Sequence, residues 1–184
     1  MNQKLKTSLA FAKNLLVTGA ISETSRQVEI DICKHISKEN SKVVVEFGMG
    51  HGNITQEILD TISPTSKLYA FEVNESFCNH VKNNITDDRL IIINDGAENL
   101  KLHVKEDINA VISSIPFSFF SKEKGLSIIQ NAYDLLENNA YYSQVLYTKF
   151  NFKKFQQIFE KCEMTSNKNF FTEYIYHCKK ITNK

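Results

Sequence analysis

The stretch VVVEFGMGHGNITQEIL, Val43 to Leu59, decides how the rest of the chain is read. Three valines and Phe47 surround a single acid, Glu46, as in a strand covered on both faces. Gly48, Gly50 and Gly52 then alternate with other residues, and Asn53–Ile62 reads as a helix. Glycines at a strand-to-helix turn permit positive φ and leave no Cβ in the way of a ligand. In an open α/β sheet this turn lies beyond the carboxyl ends of the strands, where ligands bind.

Outward from that turn, strands and helices alternate. Lys42–Phe47, Lys67–Val73, Arg89–Asp95, Ile108–Ile115 and Ala140–Thr148 read as five strands, and the tail NFFTEYIYHCKKI as a further one. Helical patterns occupy Asn74–Asn84, Ser121–Leu136 and Phe152–Cys162. On the N-terminal side, Val28, Ile32 and Ile36 share one face of a helix ending near Ser41. Leu5, Leu9, Ala12 and Leu16 mark an earlier amphipathic helix carrying lysines. Short apolar strands separated by helices imply parallel βαβ units. The chain is expected to form one domain, 1–184, with N-terminal helices over 1–41 and an α/β core over 42–184.

Bulk properties narrow the choices. A chain of 184 residues builds a core without disulfide or metal staples. Cys33, Cys78, Cys162 and Cys178 form no CxxC pair and no metal-finger spacing, so they read as free thiols in a reducing cytoplasm, and no metal is expected. No apolar run approaches the roughly 20 residues a membrane span requires, and Lys13 and Asn14 interrupt any signal-peptide core. A net charge of +1 argues against a dedicated nucleic-acid binder. Charge is unevenly placed: residues 1–13 hold three lysines and no acid, and from Lys149 onward eight lysines face Glu160, Glu163 and Glu173. Such basic ends suit either a solvated surface or an anionic partner such as lipid or RNA.

The turn itself matches two common cofactor signatures poorly. A dinucleotide fingerprint needs Gly or Ala where Asn53 stands, and a phosphate loop needs a Lys that does not follow these glycines. Acids also mark the ends of successive strands: Glu46 before the glycines, Glu72 after the second strand and Asp95 after the third. This E-x-G-x-G-x-G arrangement resembles motif I of the class I S-adenosylmethionine (SAM)-dependent methyltransferases. The resemblance implies a Rossmann-like, doubly wound, mostly parallel seven-stranded sheet with helices on both faces. It implies that SAM is held by Glu46, Phe47, Gly48, Gly50, Gly52, Asn53, Glu72, Val73, Asp95, Gly96, Ala97 and Ser113. Glu46 would face the methionine ammonium, Glu72 the ribose hydroxyls, and Asp95, with Gly96 and Ala97, the adenine.

After the fourth strand comes Ser113-Ser114-Ile115-Pro116-Phe117, where this superfamily meets its methyl acceptor. Adenine dimethylases of rRNA have N-L-P-Y here, with Asn or a backbone carbonyl accepting from the target amine and the aromatic ring stacking on the base. This chain keeps Pro-Phe but has Ser114 for Asn. It is more similar to the bacterial phospholipid N-methyltransferases, which carry S-G-L-P at this point. GAISETSR (Gly19–Arg26) parallels that family's G-A-I-x-P-S-S-R, and QVLYT (Gln144–Thr148) loosely echoes its Q-F-T-Y; Glu23 and Ser114 depart from its pattern. The resemblance implies a phosphatidylethanolamine-type amine as acceptor, a cytoplasmic enzyme working peripherally at the inner membrane face, and Ser113–Phe117 as the acceptor-orienting segment. No room is expected for the helical RNA-gripping domain of the dimethylases; membrane contact would come from the lysine-bearing N-terminal helix and from Phe117, Phe119 and Phe120, with ordinary core packing an equal alternative for at least one of the three. His51, Tyr141, Tyr142 and Tyr147 are candidate groups to bind or deprotonate the acceptor ammonium, and no spacing selects among them. An RNA or DNA adenine methyltransferase, a small-molecule methyltransferase and a non-catalytic binding module of the same fold stay open as alternatives.

Overall fold

A computed structural model of the chain describes residues 24–168 and 172–182. Seven strands form one sheet: β1 Val43–Phe47, β2 Lys67–Phe71, β3 Leu90–Ile93, β4 Ile108–Ser113, β5 Leu136–Leu146, β6 Lys161–Lys168 and β7 Thr172–Lys179. Their order is β3-β2-β1-β4-β5-β7-β6. The first five run parallel, whereas β7 is antiparallel to both β5 and β6. Strand order reverses between β1 and β4, so their carboxyl ends frame the crevice in which such sheets bind ligands.

Helices cover both faces. α1 Arg26–Cys33, α2 Asn53–Thr61 and α3 Glu75–Asn84 lie on one side; α4 Leu100–His103, α5 Lys122–Leu135 and α6 Phe152–Gln156 lie on the other. Each strand feeds both layers because successive side chains alternate. On β1, Val44 packs with Val28, Ile32, Ile58 and Leu59, while Val45 and Phe47 pack with Ile128, Ile129 and Phe155. All five residues of β1 are buried, which is why its sequence is an apolar run interrupted by one acid.

Several boundaries differ from the sequence reading. α1 ends at Cys33 rather than near Ser41, although Ile36 remains buried beyond it. β2 ends at Phe71 and β3 at Ile93, so Glu72, Val73 and Asp95 belong to the loops that follow. β4 ends at Ser113, which places Ser114 and Ile115 in a loop. The helix expected over Phe152–Cys162 stops at Gln156, and the chain enters β6 at Lys161. β6 is a sheet edge with only Cys162 and Asn167 half-buried, so it carries no apolar alternation to announce it. The expected helix through Leu5–Leu16 and most of Gly19–Arg26 lie outside the described residues.

Candidate functional site

The β1–α2 turn is built on backbone that only glycine adopts easily. Gly48, Gly50 and Gly52 have φ of 84°, 55° and 93°. Gly48 N–H donates to the Phe71 carbonyl at 2.9 Å, tying the turn to the end of β2. A Cβ on Gly48 would stand 3.0 Å from both the Ile115 side chain and the Ser114 hydroxyl, so the β4 loop comes right against the turn. Gly52 is the N-cap of α2, and a Cβ there would crowd Val81 and Ile85. At Gly50 nothing lies within 4 Å of that direction, which leaves this side of the turn open. Phe47 is buried with its ring edge-on to Phe71, and Asn53 opens α2.

The three acids sit in three different states. Glu46 is 1% exposed; its Oε2 accepts from the Thr55 hydroxyl at 2.7 Å and its Oε1 has no partner. Burial pushes its carboxyl up to about 8, the Thr55 bond opposes that, and the nearby Glu72 adds to it. Glu72 Oε2 accepts from Gly50 N–H at 3.1 Å and Oε1 from Asn74 N–H at 2.8 Å. Each oxygen retains a second lone pair for a ligand hydroxyl. Val73, beside it, is 66% exposed, an apolar surface next to a carboxylate. Asp95 Oδ2 meets His103 Nε2 at 2.8 Å, and Oδ1 accepts from Gly96 N–H and Asn99 Nδ2 at 2.7 and 2.8 Å. These bonds, the His103 one foremost, hold its carboxyl at about 2. Gly96 and Ala97 are buried, and the Glu98 carboxylate, itself paired with Lys124, closes over Gly96.

The acceptor-side segment is pinned at two points. Ser114 N–H donates to the Phe47 carbonyl at 2.9 Å and its hydroxyl to the Gly48 carbonyl at 2.7 Å. The Ile115 carbonyl accepts from Gln144 Nε2 of β5 at 3.1 Å. Ser113 is fully buried, Pro116 is exposed, and a single 3-10 turn, Phe117–Phe119, follows. Phe117 corrects an expectation: its ring is 0% exposed and edge-on to Phe120 and Phe155, so it fills the core instead of presenting a face to an acceptor. Phe119 and Phe120 are half-buried, whereas Phe150 in the β5–α6 loop is 86% exposed.

The proton-accepting candidates separate by position. Tyr142 is fully buried and burial raises its hydroxyl far above the usual range. Tyr141 stacks on His35 at 3.9 Å, on a stretch of β5 away from the β4 loop. His51 is exposed in the glycine turn, edge-on to Phe77 and His80. Tyr147, 41% exposed just past β5, is at the acceptor end, and burial raises its hydroxyl. Sequence reasoning missed Thr55, His103, Glu98 and Gln144 as parts of the site. Only Gln144 had a local signal, since it opens QVLYT; the others join through tertiary contacts.

This set of groups fits SAM. Carboxylates at Glu46, Glu72 and Asp95 suit a cation, vicinal hydroxyls and an exocyclic amine, while the turn over residues 48–53 carries no Lys or Arg to neutralise a pyrophosphate. Comparisons agree. Residues 31–175 match the family described as "Methyltransferase small domain". The chain is 22% identical over 157 residues to an ornithine lipid N-methyltransferase from Singulisphaera acidiphila, covering 81% of this chain and 80% of that protein. An rRNA methylase from Streptococcus thermophilus matches with a TM-score of 0.65 at 19% identity, over 88% of this chain and 100% of that one. A Streptococcus mutans protein solved in complex with SAH matches with a TM-score of 0.64 at 19% identity, over 85% and 99% of the two chains. At such identities the structural likeness is one of fold.

Proposed function

The chain belongs to the methyltransferase small-domain family, and we propose that it carries methyl groups from SAM, its cofactor, to the amine of a phosphatidylethanolamine-type phospholipid. The whole chain, 1–184, acts as one domain in this reading, in the cytoplasm and peripherally at the membrane. Bound at the glycine turn, SAM supplies a methyl group made electrophilic by a sulfonium. Glu46 is assigned to the methionine ammonium, Glu72 to the ribose hydroxyls, and Val73, Asp95, Gly96 and Ala97 to the adenine. Phe47, Gly48, Gly50, Gly52, Asn53 and Ser113 shape the floor. Ser114 and Ile115 offer their hydroxyl and carbonyl to the acceptor beside the turn, with Ser113 and Pro116 fixing the course of the loop. In-line placement of the amine supplies most of the acceleration, and the acceptor ammonium must first lose a proton, to water or to His51, while the Tyr147 hydroxyl, kept protonated by burial, can only hydrogen-bond the amine.

The observation that carries the lipid part is the rim next to this loop. Phe150 stands 86% exposed between Lys149 and Lys153 in the sequence, and Asn151 next to it donates to the Ser118 hydroxyl of that loop at 3.5 Å. An apolar tip among cations suits the headgroup region of an anionic membrane. The S-x-x-P segment and the 22% identical ornithine lipid relative support the same reading. Among the described residues no helix is long and apolar enough to cross a membrane. The adenine alternative loses support at Phe117, whose ring is packed away from any base.

Purified protein with methyl-labelled SAM tests the reading. Vesicles containing phosphatidylethanolamine should take label, and unmodified ribosomal RNA should not. Label in RNA alone sinks the lipid assignment.

A further inference from the structure

Gln144 stands on β5 directly opposite Ser113 of β4, and it is 0% exposed. Its Nε2 donates to the Ile115 carbonyl at 3.1 Å and to the Val145 carbonyl at 2.8 Å. Both amide hydrogens are therefore used. The reverse orientation would set Oε1 against two carbonyl oxygens, so the bonds fix which way the amide points. Oε1 itself has no partner. An apolar side chain would fill this position without burying an unpaired oxygen, so the amide is a costly choice for mere packing. What it gains is a grip on the acceptor loop. Ser114 fastens one side of that loop to Gly48 and Phe47, and Gln144 fastens the other side to β5.

We propose that Gln144 is a positioning residue for methyl transfer, aligning the Ile115 carbonyl so that it receives an N–H of the acceptor amine. The proposal rests on the reading of Ser113–Pro116 as the acceptor segment. A carbonyl oxygen has two lone pairs; Gln144 takes one and leaves the other for the substrate. An attacking amine must be neutral, with its lone pair aimed at the methyl carbon. A primary or a monomethylated amine then still has an N–H for Ile115, whereas a neutral dimethylated amine has none. The clamp thus favours the first two transfers over the third.

Two variants of the full chain test this, assayed with labelled SAM on phosphatidylethanolamine vesicles. Gln144→Met replaces the amide with an apolar chain of similar length. It should bind SAM within about twofold of wild type and lose on the order of 10- to 100-fold in kcat, the scale expected when a reacting group is misplaced. The first and second transfers should slow more than the third. Gln144→Glu donates to Ile115 only when protonated, so its deficit against wild type should be smaller at pH 6 than at pH 9. Backbone amides of residues 113–119 should exchange hydrogen faster in the Met variant, a readout that needs no acceptor. Wild-type kcat in the Met variant, equal slowing of all three transfers, or unchanged exchange would each overturn the clamp. If wild type puts no label on the lipid, the phospholipid reading falls; the exchange measurement then still decides the clamp, faster exchange supporting it and unchanged exchange ending it.

Discussion

Replacing Glu46 by glutamine should make the protein more stable in mild alkali while damaging SAM binding. The Glu46 carboxyl, fully buried, is raised from an ordinary 4.5 to about 8. A group whose folded pKa lies above its unfolded one contributes stability that is complete below the unfolded value and lost as pH rises through the folded value. The window here runs from about pH 4.5 to pH 8. At about 1.36 kcal/mol per pH unit, the loss over that window is at most about 5 kcal/mol. The amide of the Glu46→Gln variant has no proton to lose, yet its oxygen can still accept from Thr55. Melting temperatures of wild type and Glu46→Gln should agree to within a few degrees near pH 5, then diverge by about 10 °C or more at pH 9, at about 2–4 °C per kcal/mol for a chain of this size. A SAM ammonium beside Glu46 favours the charged form, so SAM binding to wild type should release a proton and tighten from pH 6 to pH 8, while the variant binds weakly and without this trend. Thermal melts at several pH values, with calorimetry in two buffers of different ionisation enthalpy, measure both effects. Parallel melting curves across pH 5–9 would refute the assignment of a proton to Glu46.

Other perturbations probe the rest of the site. Gly48→Ala puts a methyl 3.0 Å from Ile115 and Ser114 at a φ of 84°; it should cost about 1–3 kcal/mol in stability and lower kcat as the acceptor loop shifts, measured by denaturant melts and turnover. Glu72→Ala removes the acceptor of the Gly50 and Asn74 amides, so SAM dissociation constants from calorimetry should rise on the order of 10- to 100-fold, the scale of a lost charge-assisted bond. Phe150→Ser combined with Lys149→Gln and Lys153→Gln should leave SAM affinity unchanged and weaken co-sedimentation with anionic vesicles by on the order of 30-fold or more, at roughly 1 kcal/mol for each of the two lysines near the surface; unchanged sedimentation would remove the rim from the membrane reading.

The sequence revealed most of the architecture because the parallel strands are buried on both faces and are written as apolar runs. VVVEF, KLYAF and INAVIS were legible for that reason, and glycines at alternate positions marked the turn between β1 and α2. β6 was not legible: KCEMTSNK lies on an exposed edge and is held by pairing with β7, which no local pattern records. The short α6 was overextended for a different reason: Phe159 continues an apolar spacing after the helix has ended.

At the site, sequence alone supplied the acids and their order, because a carboxylate at the end of a buried strand stands out against its surroundings. It could not say which of them is charged. Glu46 and Asp95 are both acids by composition, but burial raises one, and hydrogen bonds from His103, Asn99 and the Gly96 amide lower the other. Nor could spacing foresee that Phe117, in a motif where an aromatic ring commonly meets the acceptor, turns into the core against Phe155, or that Gln144 reaches across to Ile115 from 29 residues away. Residue type and periodicity fix what a segment can bury and which backbone it can adopt. Protonation, side-chain direction and partnership depend on what the folded chain brings alongside, and that was decided only by the tertiary structure.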